Sequence, residues 1–337
     1  METVTVVMPT HNRASVARVA LQTILDQRGV DVRVVVVDEA STDETPAMLD
    51  ALDDPRVQVI RHAEPRGLPR ARNAGVRAAT TRWVAFCDDD DVWAPDKLAR
   101  QLAELRAVAG ARWACSGNVS VDTSLHVVGF HRPPASGEVF EDLRVLNVIP
   151  GGGSSVVVDK ELFEQLGGFD PEMRRAEDYD MWCRLAQASP VACVDLPLVG
   201  YRIWPGSLTT DPEAMRIGHD RVIARFRGDL APELVRAGEL QKEMYLGRFY
   251  IRRHDRVGAL RHYVRIAVRW RVPKQALHGL AAFIAPRLAG RRRDAHERAQ
   301  VPAWWADAAE AWLDPLRRSL SSPATGTPST PSSLATS

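Results

Sequence analysis

The sequence predicts an α/β protein: a mainly parallel sheet with flanking helices, followed by a C-terminal helical appendage. Three observations predict it. Strand-period and helix-period segments alternate through about the first 90 residues, the pattern of repeated βα units. Several strand segments are apolar at every position, as strands buried on both faces of a parallel sheet are. Polar clusters follow three of these strands, on the sheet edge where open α/β folds take their ligands.

Taken in order, residues 3–8 and 32–37 are short β-branched runs, 57–60 is a third and 83–87 a fourth. Helix-compatible stretches separate them: 15–27, then 45–52 with Asp43 as a candidate cap, then 69–79 with Pro69 in the first turn. Pro95 precedes a further helix over 96–108, and from Arg112 to about Phe140 the pattern turns hairpin-like. A strand over 154–158 follows the Gly151-Gly152-Gly153 loop. A helix over 161–166, a turn at Gly167-Gly168 and a helix from about 177 to 188 come next. Beyond Asp211 the chain reads as helical and strongly basic, broken at Pro273 and Pro286. Residues 321–337 are rich in Ser, Thr, Pro and Ala, carry no charged side chain and are expected to be disordered.

With 337 residues, 45% of them hydrophobic and 26% charged, the chain can bury a sizeable core. Lys and Arg number 44 against 43 Asp and Glu, a net charge of +1, which argues against a nucleic-acid binder. No apolar run reaches the roughly 20 residues of a membrane-spanning helix, and no signal-peptide layout follows Met1, so a cytoplasmic location is expected. Cys87, Cys115, Cys183 and Cys193 form no C-x-x-C pair and sit in apolar contexts, which favours reduced, buried thiols.

The three polar clusters are Pro9-Thr10-His11-Asn12-Arg13, Asp38-Glu39-Ala40-Ser41-Thr42-Asp43 and Asp88-Asp89-Asp90-Asp91. Singly, the first two could be turns with helix caps; gathered on one sheet edge they point to a site. The aspartate run is the sharpest feature. Carboxylates so crowded repel unless a cation or protons compensate them. Hard oxygens without clustered Cys or His suit Mg²⁺ or Mn²⁺, ions that share phosphate oxygens with a substrate, so a nucleoside diphosphate is a natural partner. No P-loop, dinucleotide fingerprint or serine-hydrolase elbow competes with that reading.

In order, VVMPTHNR, VVVVDEASTDET, GLPRARNAGVRAATTRWVAFCDDDDVW, GGFDPEMRRAEDYDMWCRLA and YRIWPGS resemble the GT-A-fold glycosyltransferases of family 2 over roughly residues 3–210. The resemblance implies transfer of a sugar from a nucleotide-diphosphate donor to an acceptor hydroxyl, with inversion, in cell-surface glycan or glycolipid synthesis. It implies that Pro9, Thr10, Asn12 and Arg13 lie along the nucleotide, that Asp38 and Glu39 address the base, and that Arg72 lies near the diphosphate. Asp88 and Asp90 match the D-x-D positions, the first toward the ribose and the second toward the metal, although the run permits a one-residue slip. Glu177-Asp178 matches the acidic pair that opens the acceptor-side helix, with Asp178 as general base. Trp182, four residues on, is a candidate wall for a sugar ring, against the plainer alternative of a core Trp. In the Gly151-Gly152-Gly153 loop, Gly152 and Gly153 are expected to let the backbone approach donor or acceptor closely, the alternative being an ordinary flexible turn. The implied division is a catalytic domain over 1–215, with a nucleotide-binding half to 115 and an acceptor half from 116, then the basic appendage over 216–320 and the tail.

Three residues depart from the family pattern: Glu39 stands for a usual second Asp, Ala40 for a frequent Gly, and Trp204 for a His found in many relatives. A non-catalytic sugar-nucleotide or glycan-binding module of the same fold is the alternative, disfavoured because donor, metal and base positions are all filled. A processive membrane synthase wants a Q-x-x-R-W segment, and Ile266 occupies its Gln position before Arg269-Trp270. Residues 251–293 hold twelve Lys or Arg and one acid, Asp255. Helical spacing puts Arg261, Arg265 and Arg269 in one stripe, opposite an apolar arc of Ala259, Leu260, Tyr263, Val264, Ile266, Ala267 and Trp270. Such a helix suits peripheral contact with an anionic membrane face, where a lipid-linked acceptor would lie; the alternative is that the arc packs on the catalytic domain, with the arginines solvated or paired to its acidic surface.

Overall fold

The computed structural model describes residues 1–173, 175–203, 212–252, 255–284 and 301–321. The expectations for Trp204, Pro286, the arginines of 285–293 and the tail from 322 lie outside the described residues. The chain opens with β1 (Thr3–Thr10), α1 (Ala14–Leu25), β2 (Asp31–Asp38), α2 (Thr45–Asp50), β3 (Val57–Arg61), α3 (Leu68–Ala78) and β4 (Trp83–Phe86). Then follow β5 (Val92–Trp93), α4 (Lys97–Ala107), a hairpin of β6 (Trp113–Val121) and β7 (Val127–His131), and α5 (Phe140–Val145). A 3-10 turn over Gly152–Ser155 leads into β8 (Val157–Asp159), α6 (Lys160–Gln165), α7 (Glu177–Ala188) and β9 (Val191–Arg202). Among the described residues, five helices follow: α8 (Pro212–Phe226), α9 (Pro232–Arg252), α10 (Arg256–Trp270), α11 (Lys274–Ile284) and α12 (Ala303–Ser321).

One sheet runs β3-β2-β1-β4-β8-β6-β9-β5, with β7 beside β6. Its first four strands are parallel, as the alternating pattern predicts. The second half is mixed: β8 runs against β4 and β6, β9 runs with β6, and β5 runs against β9. The 3-10 turn sits at the ligand edge, so the chain enters β8 from that edge and must run opposite to β4. Side-chain alternation splits the core between the two faces. Val4, Val6 and Met8 pack with Val32, Val34 and Val36 beneath α1, α2 and α4, while Val7, Phe86 and Trp113 face α6 and α7. Gly75 lets α3 press onto β1, since a Cβ there would lie 2.3 Å from Val7 Cγ1. All four cysteines are buried and free, with Cys115 Sγ 3.4 Å from Cys193 Sγ on the neighbouring strand.

In α10, Ala259, Tyr263, Ile266 and Trp270 are buried, the last three against Leu240, Met244 and Ile251 of α9. The apolar arc is therefore the core of the appendage and is not open to lipid. Val264 lies on the exposed side, with Arg261 and Arg265. Arg269 is drawn to Glu239 at 3.2 Å and lies over the Trp270 ring. The last helix, α12, returns to the sheet, where Trp305, Ala309 and Leu313 are fully buried against Val92, Val119 and Val121. Trp305 Nε1 donates to Asp195 Oδ1 at 3.2 Å and Trp312 Nε1 to the Pro197 carbonyl at 2.9 Å.

Candidate active site

The ends of three adjacent parallel strands bring Thr10, Asp38 and Arg61 into register. Pro9 is buried opposite Val37. Asn12 takes a left-handed conformation, φ 54°, which turns its side chain onto the second cluster. Its Oδ1 accepts from the amides of Thr42 (2.7 Å) and Asp43 (3.2 Å), and its own amide donates to Ser41 Oγ (2.9 Å). The first two clusters thus form one stapled rim. The cap position of α2 falls on Glu44, one residue later than expected; Asp43 instead accepts from the Thr45 amide at 2.9 Å and from the Ala14 amide of α1 at 3.4 Å. Asp38 is buried, with Oδ1 accepting from the Ser41 amide at 3.0 Å.

Glu39, expected at the nucleotide base, is held by its own neighbours. His62 Nδ1 donates to one carboxylate oxygen, and the amides of Arg66 (2.7 Å) and Gly67 (2.6 Å) donate to the other. Both oxygens are engaged, and the extra methylene of Glu over Asp carries the carboxylate into this loop. His11 has a structural partner as well, its Nδ1 lying 2.7 Å from the Glu39 carbonyl.

The aspartate run alternates. Asp88 and Asp90 side chains keep 26% and 12% exposure, whereas Asp89 keeps 7% and Asp91 is fully buried. Asp89 accepts from Thr10 Oγ1 at 2.7 Å and meets Arg13 Nη1 at 2.9 Å, a nitrogen that also lies 2.8 Å from Asp90 Oδ2. Asp91 accepts from the Arg202 amide at 3.0 Å, and Arg202 Nε donates to the Asp90 carbonyl at 2.9 Å. Burial, then the charge of Asp90, push the Asp89 carboxyl up to about 7, and burial takes Asp91 well above the carboxylate range. A slip of the metal position to Asp91 is disfavoured, because that side chain has no access to the cleft. Among the described residues no three His, Cys, Asp or Glu side chains gather to hold a metal by themselves. The fit to Mg²⁺ or Mn²⁺ is therefore that of an ion sharing substrate oxygens: Asp88 and Asp90 offer hard oxygens on the cleft side, and the run already gathers Arg13 and Arg72 around it.

Arg72 is almost fully buried and spans the site. Its Nη2 meets Asp88 Oδ1 at 2.5 Å and its Nη1 meets Glu177 Oε1 at 2.8 Å, while the guanidinium lies 5.3 Å from the centre of the Phe169 ring. Both terminal nitrogens have partners, so Arg72 is a strut between the aspartate run and α7. Burial, then the charge of Asp178, raise the Glu177 carboxyl to about 7 against the pull of Arg72. Burial raises Asp178 too. Asp178 is half-buried and accepts from the Tyr179 amide at 2.7 Å. Gly152 and Gly153 pass directly over this pair: a Cβ at Gly152 would lie 3.5 Å from Asp178 Oδ2, and one at Gly153 3.0 Å from Arg72 Nη2. Trp182, by contrast, is core. It is fully buried, stacks on Trp113 at 6.1 Å and meets Phe169 edge-on, so it cannot wall a sugar site. Sequence reasoning missed Ser154, whose Oγ accepts from the Asp88 amide at 2.9 Å, and the support that Arg202 gives to Asp90 and Asp91. Arg202 lies within the quoted segment YRIWPGS, which was the available signal for it.

Residues 5–166 match the family model described as glycosyl transferase family 2. The chain is 46% identical over 111 residues to the succinoglycan biosynthesis protein ExoO of Rhizobium meliloti, a stretch covering 33% of this chain and 32% of that protein. The match thus spans about a third of that relative's length. It is 23% identical over 210 residues to the UDP-Glc:alpha-D-GlcNAc-diphosphoundecaprenol beta-1,3-glucosyltransferase WfgD of Escherichia coli, covering 62% of this chain and 80% of that one. The mannosyltransferase PcManGT from Pyrobaculum calidifontis, solved with GDP-Man and Mn²⁺, aligns with a TM-score of 0.54 at 23% identity, over 91% of this chain and 86% of its own. That likeness is one of fold, GT-A.

Proposed function

Residues 5–166 belong to glycosyl transferase family 2, and from that premise we propose that this chain is an inverting glycosyltransferase, moving a sugar from a nucleotide-diphosphate donor to a hydroxyl of a cell-envelope glycan or lipid-linked acceptor. The observation that carries the reading is the Asp88–Arg72–Glu177 bridge, which ties the donor-side aspartates to the helix that presents Asp178. Asp178 takes the proton of the acceptor hydroxyl as that oxygen attacks the anomeric carbon from the face opposite the diphosphate, which inverts the centre. Its raised carboxyl is a better base near neutral pH than an ordinary Asp. Arg72 holds Asp88 and Glu177 in place, and Gly152-Gly153 keep side chains away from the reacting groups. A divalent ion held by Asp90, with Asp88 beside it, would supply charge neutralisation of the donor diphosphate. The proposed division is a catalytic domain over 1–215, with its donor half to 115, and a helical appendage over 216–320 whose last helix rests on the catalytic sheet.

Thermal unfolding tests the donor and the ion together. UDP-Glc, UDP-GlcNAc and GDP-Man are scanned with and without Mn²⁺ or Mg²⁺. At least one is expected to raise Tm, since a ligand at 100 times its Kd stabilises by about 2.7 kcal/mol. Asp90→Asn should keep the fold and lose the metal-dependent part of that shift. If neither these sugar nucleotides nor UDP and GDP shift Tm with metal present, the reading fails.

The appendage supports peripheral contact with an anionic membrane, though by a different surface from the buried arc. Val257, Val264 and Val268 are exposed on α10 with Arg261 and Arg265 between them, and Leu277, Leu280, Phe283 and Ile284 are exposed on α11. No helix among the described residues is long and apolar enough to cross a membrane. The full chain should sediment with vesicles rich in phosphatidylglycerol, less so as salt rises, and Arg261→Gln/Arg265→Gln should reduce the bound fraction. No sedimentation at low salt would end this part of the proposal.

A further inference from the structure

A cavity of about 270 Å³ lies on the outer side of α3, lined by His62, Arg66, Arg70, Asn73, Arg77 and Pro171. Arg66, Arg70, Asn73 and Arg77 follow one another by four, three and four residues. Within α3 that spacing aligns Arg70, Asn73 and Arg77 on one face, along about 10 Å of helical rise, while Arg66 lies in the loop just before the helix, ahead of Gly67. The walls are fixed by the protein's own bonds. Glu39 holds His62 on one oxygen and the amides of Arg66 and Gly67 on the other. Asn73 grips Phe169 twice, donating to its carbonyl at 2.7 Å and accepting from its amide at 2.9 Å, which brings the 169–173 loop against the helix. Gly168 is required there, because a Cβ would lie 2.7 Å from Asn73 Oδ1. Arg70 meets Glu172 at 2.9 Å, but among the described residues no carboxylate lies within ion-pair distance of the guanidinium groups of Arg66 and Arg77. A larger cavity, of about 550 Å³, differs in this respect. Its Arg82, Arg112 and Lys160 are matched by Asp159, Glu161 and Glu164.

We propose that the α3 groove binds the acceptor as a polyanionic glycan that bears carboxylate groups. Guanidinium forks pair with carboxylates in a planar, two-bond geometry. A line of them suits charges repeated along an extended chain better than one compact ion. The groove is built on the same elements as the reaction centre: α3 carries Arg72 on its inner side to Asp88 and Glu177, and the 169–173 loop that forms the second wall precedes Glu177 and Asp178 in the chain. In this arrangement Glu39 is a positioning residue that shapes the acceptor groove. The acceptor role rests on the glycosyl-transfer reading above; the binding of the polyanion does not.

The test uses the full-length chain and fluorescently labelled tetragalacturonate, with maltotetraose as the neutral counterpart and inorganic diphosphate as the phosphate probe. Tetragalacturonate is expected to bind at low salt and to weaken as salt rises, and maltotetraose is expected not to bind. Arg66→Gln/Arg77→Gln should weaken tetragalacturonate about tenfold or more, equivalent to about 1.4 kcal/mol. It should leave the UDP and GDP shifts in Tm unchanged. Arg18→Gln/Arg28→Gln, two exposed arginines elsewhere, should change nothing. The proposal is overturned if tetragalacturonate fails to bind, or if the two double variants weaken it equally. It is also overturned if only inorganic diphosphate binding responds to Arg66 and Arg77, which would make the groove a phosphate site. Absence of any nucleotide shift in a chain that still binds tetragalacturonate would strike the glycosyl-transfer reading alone.

Discussion

Replacing Asp178 with Asn is expected to lower turnover by on the order of 10²–10⁴-fold while donor affinity changes little. The amide keeps the shape of the carboxylate, so the Tyr179 amide at 2.7 Å retains an oxygen to donate to. What is lost is the proton acceptor. Single-turnover kinetics beside donor titration separates the outcomes: an equal fall in donor affinity would make Asp178 part of the donor site. Because burial raises this carboxyl, activity should decline as pH falls through its titration, at a higher pH than for an exposed Asp. That limb should be absent in the variant.

The second large effect is expected from Arg72→Gln. Removing one partner of a buried ion pair costs about 3–5 kcal/mol, since charges held by the arginine stay behind unpaired. Here Asp88 and Glu177 lose their shared partner at once. The pH dependence has a definite sign. Glu177 titrates near 7 in the folded chain against 4.5 when free, so the native state holds more protons between those values. Its contribution is fully present below about pH 4.5 and is lost as pH rises through about 7. Without Arg72 the opposition to that shift is gone, and the stability deficit of the variant should be greatest near pH 8 and shrink toward pH 5. Urea unfolding at the two pH values measures it. A deficit independent of pH would mean that Arg72 acts through packing on Phe169 alone. Arg72→Lys should fall between the two, because an ammonium cannot span both carboxylates as the fork does.

The parallel half of the sheet was legible because β1, β2 and β4 are short apolar runs with helical spacing between them and polar residues at their ends. The strand β9 was not. Asp195, Pro197 and Gly200 interrupt its pattern, and the structure absorbs them with register shifts against β6 around Gly117. In the site, the aspartate run and the Glu177-Asp178 pair were visible as clusters, but the bond between them was not, since Arg72 and Glu177 lie 105 residues apart. Local spacing left two aromatic helices undecided. Nearly every side chain of α7 from Tyr179 to Cys183 is buried, so helical phase alone could not say that Trp182 faces Trp113. In α10 most of the apolar arc packs against protein, but against α9 rather than the catalytic domain, and Val264 falls on the exposed side. Glu39 was legible as an acid at a strand end, but a carboxylate with two amide donors and a histidine looks the same in sequence as one that waits for a ligand.

The return of α12 to the sheet also bears on how the protein is made. Trp305 reaches Asp195 across 110 residues, and with Ala309 and Leu313 it covers a face formed by β5 and β6. Val121 precedes Trp305 by 184 residues, so at about 5–20 residues per second a growing chain shows Val119 and Val121 uncovered for on the order of 10–40 s. The ribosome-bound chain should therefore be a client of holding chaperones until α12 emerges, and a shortened gene ending near residue 215 should give aggregates rather than a smaller enzyme.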